Sequence, residues 1–443
     1  MADEALPGYR GKLREILEAA CVGVGDVLRV TTGGFVTEGT LMPRVESADE
    51  YHLVLKQRTG YNVGLSYSKN LKVEKIGEAV KPDFRPPPLP PVKKGLPKVS
   101  IISTGGTIAS RVDYITGGVY AAMSSRDLLS IVPELADIAQ IEAAILYSVF
   151  SENINSDHWT GMACEVAKRI KEGVDGVVVT HGTDTMGYSA AALAFALQKL
   201  PVPVVFVGSQ RSSDRPSADS ATNLVAAVTA AAYAPIAGVV LGMHEGTGDD
   251  SIIFHPGVKV RKCHTSTRYA FQTVNTIPVA RFKDNRITVL DESFRRRQDS
   301  ELVVRERFEK KVALLKFHPG FNSLILESLI DSGFRGIVFE GTGLGHVSEQ
   351  CYDAIERASY EGILMGMTSQ CIWGRVNMNV YSMGRELTRR GVEPLADMLP
   401  ETALVKLMWS LGNTGNVEEA RRLLKTNVVG EYNPRTPFAR SGV

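Results

Sequence analysis

The sequence predicts an α/β fold in which two domains, each with a parallel sheet, follow a small β-barrel. Three observations predict it: short alternating apolar segments precede a proline-rich run, β-rich apolar strands alternate with helices after it, and a charged stretch separates two such strand–helix series. The 443 residues also exceed what one ordinary core accommodates, so several domains are expected.

The amino-acid composition argues against several classes of protein. Fifty Lys and Arg residues balance 49 Asp and Glu residues, a formal net charge of +1, whereas a protein that binds nucleic acid alone usually carries a clear basic excess. The five cysteines show no C-x-x-C spacing, which argues against disulfides and a zinc site. Neither a signal peptide nor a membrane-spanning apolar run is evident. We therefore expect a cytoplasmic protein without membrane contact or bound metal.

The first predicted domain, residues 1–80, contains five strand-like segments: GDVLRVTT, GTLMPRV, YHLVLKQ, YNVGLSY and LKVEKIG. Gly, Asn and Asp turns separate these segments, as in a small barrel. The glycine pair in TTGGF, which begins at Thr31, is predicted to form a hairpin turn. Residues 81–97 are so rich in proline that they predict an extended linker.

The predicted large domain, residues 98–290, alternates strands and helices, and this alternation indicates a parallel sheet covered on both faces. Its strands are VSIIS, AAILYS, GVVVTHG, PVVFVGS and IAGVVLG. One helix is predicted to begin with Ser156 as its N-cap, and SADSATNLVAAVTAAAY is predicted to form another. After a charged connection, residues 291–310, the strands KVALLKF, GIVFEGT and GILMGMT predict a smaller α/β domain over 311–443.

Two turns of this sheet carry hydroxyl groups at the ends of strands. IISTGGTIAS and VVVTHGTDTMGYSA both run from a buried strand through glycine into polar residues, and the two turns could face each other at the carboxyl edge. Each alone is better explained as a tight strand-to-helix turn, because glycine turns after strands are common. VRKCHTS adds a lysine after a strand, a residue that can serve as a base. Because threonine needs such a neighbour to become nucleophilic, the three segments together indicate acyl transfer.

In this order TGGTIAS, THGTDTM and RKCHTS resemble the signature segments of the L-asparaginase family, and the resemblance covers nearly everything after the linker. It implies that Thr107 is the primary nucleophile. It also implies that Thr183, Asp184 and Lys262 form a second catalytic group, in which Thr183 and Lys262 support activation while Asp184 also holds the α-amino group of the substrate. Gly106 is expected beside the substrate.

Further roles are implied more locally. Ser151, in SENIN, resembles the serine that binds the substrate α-carboxylate, although a helix-capping role is the alternative. Tyr114 resembles the tyrosine of the mobile lid loop; an ordinary loop aromatic is the alternative, and Tyr120 competes for the role. His181 is predicted to bond locally within its turn. Free-standing members borrow a glutamate from a neighbouring subunit near the segment that resembles WGRVNMNVYS, which here contains no carboxylate.

The architecture of an additional N-terminal β-domain and a stiff linker, together with the segments DYITGGVY and VRKCHTS, resembles that of the family of D subunits of archaeal glutamyl-tRNA(Gln) amidotransferases. That resemblance implies an amidase that releases ammonia from the side-chain amide of Gln or Asn. It also implies a homodimer through the asparaginase-like domains and, with the E subunit of the amidotransferase, an α2β2 complex. The E subunit would bind tRNA and use ATP and Mg²⁺ to amidate Glu-tRNA(Gln), so no cofactor is expected in this chain.

Two other functions remain open from the sequence. A free-standing asparaginase or glutaminase with an unrelated N-terminal domain would share the same motifs. A non-catalytic scaffold would be expected to lose at least one of Thr107, Thr183, Asp184 and Lys262, all of which are present. Within the charged run 281–311, the adjacent arginines 295–297 suit phosphate or carboxylate of a partner or tRNA, whereas the alternative is a solvated linker.

Overall fold

A computed structural model gives the fold in two compact units. The first contains residues 1–89 and the second the remainder, except that segments 109–122 and 211–218 group with the first. The structure describes residues 5–44, 48–57, 62–78, 93, 95–106, 110–112, 119–121, 128–129, 132–211 and 218–436, so residues 81–92 of the predicted linker lie outside the described residues. None of the helices in these ranges is long and apolar enough to cross a membrane.

In the described residues, the N-terminal unit contains helix α1 and an antiparallel sheet of strand order β4-β3-β2-β1-β5. Its elements are α1 (Gly11–Ala19), β1 (Val27–Thr32), β2 (Phe35–Leu41), β3 (His52–Lys56), β4 (Asn62–Ser66) and β5 (Lys72–Gly77). All five predicted strands are present, and Gly33 and Gly34 form the β1–β2 hairpin turn with positive φ angles. The described residues include no pairing between β4 and β5 that would close the sheet.

Helix α1 was not predicted from the sequence pattern of this domain. Its Leu13 and Leu17, four residues apart on one face, are buried against Leu28 and Leu55 of the sheet. The helix therefore covers one face of a sheet that would otherwise expose its apolar residues.

The second unit is built around an eight-stranded sheet of order β18-β17-β14-β13-β12-β10-β6-β9. The elements of the large domain in this unit are β6 (Lys98–Ser103), α2 (Leu135–Ile138), β9 (Gln140–Ile145), α3 (Ser156–Lys171), β10 (Gly176–Thr180), α4 (Met186–Ala196), β11 (Leu197–Gln198), β12 (Pro203–Val207), α5 (Ser220–Tyr233), β13 (Gly238–His244), β14 (Ser251–Pro256), β15 (Val260–Lys262), β16 (Phe271–Thr273), β17 (Ala280–Lys283), β18 (Arg286–Val289) and β19 (Val303–Val304). Strands β7 (Ser110–Val112) and β8 (Val119–Ala121) lie in segment 109–122, which groups with the first unit.

The five predicted strands, β6, β9, β10, β12 and β13, are parallel. Strands β14, β17 and β18 extend this parallel sheet in antiparallel pairing, so the complete sheet is mixed. Asp284 and Asn285, both at positive φ, form the β17–β18 turn, so part of the charged run is an edge hairpin. The N-cap of α3 is Asn155 rather than Ser156, because the Asn155 side chain accepts from the backbone N–H groups of Asp157 and His158.

The small domain contains a parallel four-stranded sheet of order β20-β21-β22-β23. Its elements are β20 (Val312–Lys316), α6 (Leu324–Asp331), β21 (Gly336–Gly341), α7 (Tyr352–Tyr360), β22 (Leu364–Ser369), α8 (Ser382–Arg389), β23 (Val392–Pro394), α9 (Pro400–Gly412) and α10 (Val417–Lys425). The three predicted strands of this domain are present, each followed by a helix.

Helix α9 belongs to the cores of both domains. Trp409 stacks on Phe195 of α4, with ring centroids 5.5 Å apart, and lies in the core of the large domain. Leu407 and Leu411, on the same helix, pack in the core of the small domain with Val338. The two domains therefore share one helix as a common apolar layer.

The adjacent arginines 295–297 do not act together. Arg297 donates from Nε to Ala234 O and from Nη2 to Ala231 O, both at 2.6 Å, so it caps the carboxyl end of α5. Its Nη1 donates to Asp175 O. Arg296, 40% exposed, pairs with Glu292. The hypothesis that all three face a partner or tRNA is wrong for Arg297, and so is the solvated-linker alternative.

We expect Arg297→Ala to lower the free energy of unfolding by about 2 kcal/mol, because three carbonyl groups lose a charged donor. Denaturant unfolding of the purified chain measures this. Arg296→Ala is the matched control, for which a change below about 0.5 kcal/mol is expected of an exposed pair. Equal losses from both substitutions would contradict the assigned role of Arg297.

Candidate active site

The turns that follow β6 and β10 lie against each other at the carboxyl edge of the sheet. Gly106 has a φ of +82°, and a Cβ built on it would lie 2.9 Å from the Gly182 backbone nitrogen. A side chain at this position is therefore excluded by both conformation and space. Thr104 strengthens the contact, since its backbone N–H and its hydroxyl both donate to Thr180 O, at 3.0 and 2.9 Å. The predicted meeting of the two turns is confirmed.

Lys262 brings the third segment to the same place. As the last residue of β15, it donates from Nζ to Thr183 Oγ1 at 2.9 Å and to Asp184 Oδ1 at 2.7 Å. The lysine side chain is 13% exposed, whereas the Asp184 side chain is 70% exposed. The amine is thus enclosed between a threonine hydroxyl inside and a carboxylate that faces solvent.

The turn that follows a third strand, β12, packs against Thr183 through Gly208. A Cβ built on Gly208, which follows β12, would lie 2.8 Å from Thr183 Cγ2 and 2.9 Å from His181 O. Asn223 holds this turn, because its Nδ2 donates to Gly208 O at 3.0 Å. The segment PVVFVGS shows the same strand-then-glycine pattern as the two motif turns, and that signal could have identified Gly208 from the sequence.

Ser151 lies beside these turns in a 3-10 turn that precedes α3. Its side chain is buried against Gly182, where a built Cβ would lie 2.8 Å from Ser151 Cβ. Thr185 Oγ1 donates to Ser151 O at 2.6 Å. Since Asn155 caps α3, Ser151 does not have the helix-capping role considered as an alternative. Ser151 therefore lies next to the motif turn, a position compatible with substrate binding.

His181 is fully buried beneath the same loop. Its Nδ1 lies 2.7 Å from Gly182 O, which can only accept, and its Nε2 lies 2.8 Å from Ser189 Oγ. Ser189 Oγ also accepts from Trp159 Nε1 at 3.0 Å, so its hydroxyl donates to the histidine. Burial lowers the pKa of His181 to about 4, and the ring is neutral at pH 7. His181 bonds locally, as predicted, whereas the contributions of Ser189 and Trp159 were missed.

Three residues considered from the sequence are not described by side-chain contacts. Thr107 and Tyr114 lie outside the described residues, and Tyr120 is described only as part of the backbone of β8. The described residues thus bring Gly106, Ser151 and the Thr183–Asp184–Lys262 group together. Among the described ranges, no group of three or more His, Cys, Asp or Glu side chains could hold a metal ion.

Comparisons with known proteins agree with this geometry. Three family models match: "Asparaginase, N-terminal" over residues 98–295, "Glutaminase/Asparaginase C-terminal domain" over 311–424 and "GatD N-terminal domain" over 22–76. A Metallosphaera sedula relative, the D subunit of a glutamyl-tRNA(Gln) amidotransferase, is 50% identical over 97% of both chains. The chain belongs to this D-subunit family. A Pyrococcus abyssi member of the family is 49% identical over 96% of this chain and 99% of its own.

Solved asparaginases share the fold of the second unit. The thermostable L-asparaginase of Thermococcus kodakarensis, 30% identical, covers 76% of this chain and 100% of its own with a TM-score of 0.68. L-asparaginase I of Vibrio cholerae, 24% identical, covers 76% of this chain and 99% of its own with a TM-score of 0.67, and shows the fold alone. The predicted fold class and the resemblance to the family of D subunits are confirmed.

Two buried histidines predict acid sensitivity. Burial lowers the pKa of His181 to about 4 and that of His255 to about 3, from an ordinary value of 6.5. Between pH 6.5 and about 4 the unfolded chain therefore binds more protons than the folded chain, so the free energy of unfolding falls as the pH falls. In the middle of this window, near about pH 5, unfolding measured against pH should show an uptake approaching two protons from these histidines.

His255→Gln should reduce that uptake by about one proton, because one of the two buried imidazoles is removed while hydrogen-bonding capacity toward Thr273 is retained. An unchanged pH dependence in this variant would show that other groups cause the acid sensitivity.

Proposed function

We propose that this chain is the ammonia-releasing amidase of a tRNA-dependent amidotransferase. It would hydrolyse the side-chain amide of Gln or Asn, and the ammonia would pass to a partner protein that converts Glu-tRNA(Gln) into Gln-tRNA(Gln) with ATP. The observation that carries the proposal is the Lys262 amine bonded to Thr183 and Asp184 beside the Gly106–Gly182 contact. The membership of the chain in the family of D subunits supports the same proposal.

The chemistry proposed for this site starts at Thr107, the residue after Gly106. Its oxygen attacks the amide carbonyl carbon while its proton passes to the Thr183–Lys262 pair, directly or through water. Collapse of the tetrahedral intermediate breaks the C–N bond, and the leaving nitrogen takes a proton and departs as ammonia. Water then attacks the ester to release Glu or Asp and restore the threonine hydroxyl.

Two polar side chains are proposed to orient the amino-acid substrate. The Asp184 carboxylate suits the α-amino group of an amino acid, and the buried hydroxyl of Ser151 suits its α-carboxylate. Gly106 leaves room for the substrate to approach the backbone. Tyr114 is proposed as a lid residue that would close over the bound amide.

Release of ammonia needs an acceptor nearby, because only unprotonated ammonia is nucleophilic. We propose the E subunit of the amidotransferase as that acceptor, with ATP and Mg²⁺ bound there and tRNA held mainly by the same partner. A homodimer of this chain with two E subunits would give an α2β2 complex in the cytoplasm. The near-zero net charge of this chain supports assigning most tRNA contacts to the partner.

We expect Thr107→Val to abolish ammonia release, since valine keeps the shape of threonine but has no hydroxyl. Ammonia release is measured beside thermal melting, which should stay unchanged. Thr104→Val is the matched control: among the described residues its hydroxyl donates to Thr180 O, away from the Thr183–Lys262 pair, so we expect some loss of stability but continued turnover. A tenth or more of wild-type turnover in Thr107→Val would exclude Thr107 as the nucleophile.

We expect Lys262→Arg to lose most turnover while remaining folded. Guanidinium stays protonated at any working pH and cannot accept the proton of the nucleophile, whereas an amine can. Steady-state hydrolysis against pH measures the effect. Near-normal turnover of the arginine variant would mean that Lys262 serves only as a positive charge and that another group is the base.

Amide hydrolysis measured with and without the partner subunit and tRNA distinguishes this function from that of a free-standing asparaginase or glutaminase. With the purified E subunit and misacylated Glu-tRNA(Gln), amide hydrolysis should rise at least several-fold, and the released nitrogen should appear in Gln-tRNA(Gln). Isotope-labelled amide donor measures the transfer. Fast hydrolysis by this chain alone, unaffected by the partner and tRNA, would favour the free-standing enzyme.

A further inference from the structure

The chain that leads into the candidate catalytic lysine lies along a segment of the small domain. Thr402 Oγ1 donates to Val258 O at 2.9 Å. One residue further, Lys259 Nζ donates to Asp397 O at 3.0 Å and to Asp397 Oδ2 at 2.9 Å, and both of these side chains are almost completely buried. Val258 and Lys259, just before β15, are thus joined to Thr402 in the first turn of α9 and to Asp397, which precedes that helix.

A third contact reaches the residue adjacent to Lys262. Arg261 Nε lies 3.2 Å from Glu401 Oε1 in the first turn of α9, and these side chains are 24% and 16% exposed. Successive side chains of a strand point to opposite faces. The pair therefore holds one face of β15 against α9, while Lys262 extends from the other face to Thr183.

The ion pair of Arg261 and Glu401 lies in buried surroundings, so removing one partner would leave the other charge unpaired. Burial raises the pKa of the Glu401 carboxyl, and Arg261 opposes that effect. Arg261 Nη1 and Glu401 Oε2 are fully buried without another partner among the described residues. Charged groups of Glu340 and Lys316, and the hydroxyl of Tyr188, also face the pair. Such pairs contribute little net stability compared with apolar side chains, so their value lies in fixing one geometry.

We propose that residues 397–402 of the small domain position the catalytic lysine, and that Arg261 and Glu401 are positioning residues for amide hydrolysis. The inference rests on the proposed function and adds to it a role for the small domain of the same chain. The three contacts define where β15 ends, and a displacement of about 1 Å there would take the Lys262 amine out of hydrogen-bond range of Thr183.

The test uses Arg261→Met, Glu401→Gln and the double variant, each in the full chain. Each single substitution leaves a buried group unpaired and should lower the melting temperature. The double variant removes both charges and should regain most of that loss. All three should lose at least tenfold in kcat for amide hydrolysis, with KM within about threefold, because the substrate contacts are untouched. Arg261→Lys, which keeps a charge beside Glu401, should recover part of kcat.

Another buried ion pair supplies the matched control. Lys406 and Glu431 of the small domain are both fully buried and paired, and among the described residues no hydrogen bond or ion pair joins either of them to β15. The double variant Lys406→Met/Glu431→Gln should change the melting temperature without changing kcat, measured well below the melting transition. This separates loss of packing in the small domain from displacement of Lys262.

The outcomes are distinct. A stable double variant of Arg261 and Glu401 with more than half of the wild-type kcat would overturn the inference and leave the proposed function intact. An equal loss of kcat in the Lys406 and Glu431 control would also overturn it. Absence of amide hydrolysis by the wild-type chain in its complex would overturn the proposed function, and the inference with it.

Discussion

The close contact between Gly106 and Gly182 is the constraint on which the rest of the site depends. Strands β6 and β10 are paired in register up to Ser103 and Thr180, so the two turns leave the sheet at the same level. Backbones can meet there only where side chains are absent. Because Thr183 directly follows Gly182, this backbone contact constrains its position.

Neutral hydrogen bonds hold the loop, and charges lie toward its solvent side. Hydrogen bonds among His181, Ser189 and Trp159 pair their own buried polar atoms under the loop without placing an ion there. The hydrogen bond from Lys262 to Asp184 lies on the solvent side of the loop, where the carboxylate is exposed. A charged group at the buried positions of His181 and Ser189 would need a partner of opposite charge away from water. Neutral hydrogen bonds avoid this free-energy cost of burying a charge.

Helix α9 connects the two domains in two different ways. Along its length, Trp409 and Leu407 contribute to separate cores, an apolar contact that tolerates small shifts. At its start, Thr402, Glu401 and the preceding Asp397 make directional polar contacts to the chain around β15. Apolar packing accounts for the association of the domains, whereas the polar contacts account for a defined position of the chain that carries Lys262.

Local patterns were sufficient for the strands, the main helices and the motif residues, because β-rich apolar runs, glycine turns and hydroxyl groups are visible over a few residues. These local patterns did not show which residues become neighbours in the folded structure. Asn155 rather than Ser156 caps α3, α1 covers the N-terminal sheet, and β14 continues the large sheet in antiparallel pairing. Each depends on a partner that no local pattern specifies.

The sequence by itself determined the fold class, the order of the strands along the chain and the chemical groups available to the site. Only the tertiary structure decided that Arg297 caps α5 instead of facing a partner, that Ser189 supports His181, and that Arg261 meets Glu401. Residue types limit which interactions can form, but residues as distant along the chain as Arg261 and Glu401 meet only when the sheet and the shared helix have brought their elements together. The physical reason is that burial and hydrogen bonding are properties of neighbours in space, while sequence patterns report only neighbours along the chain.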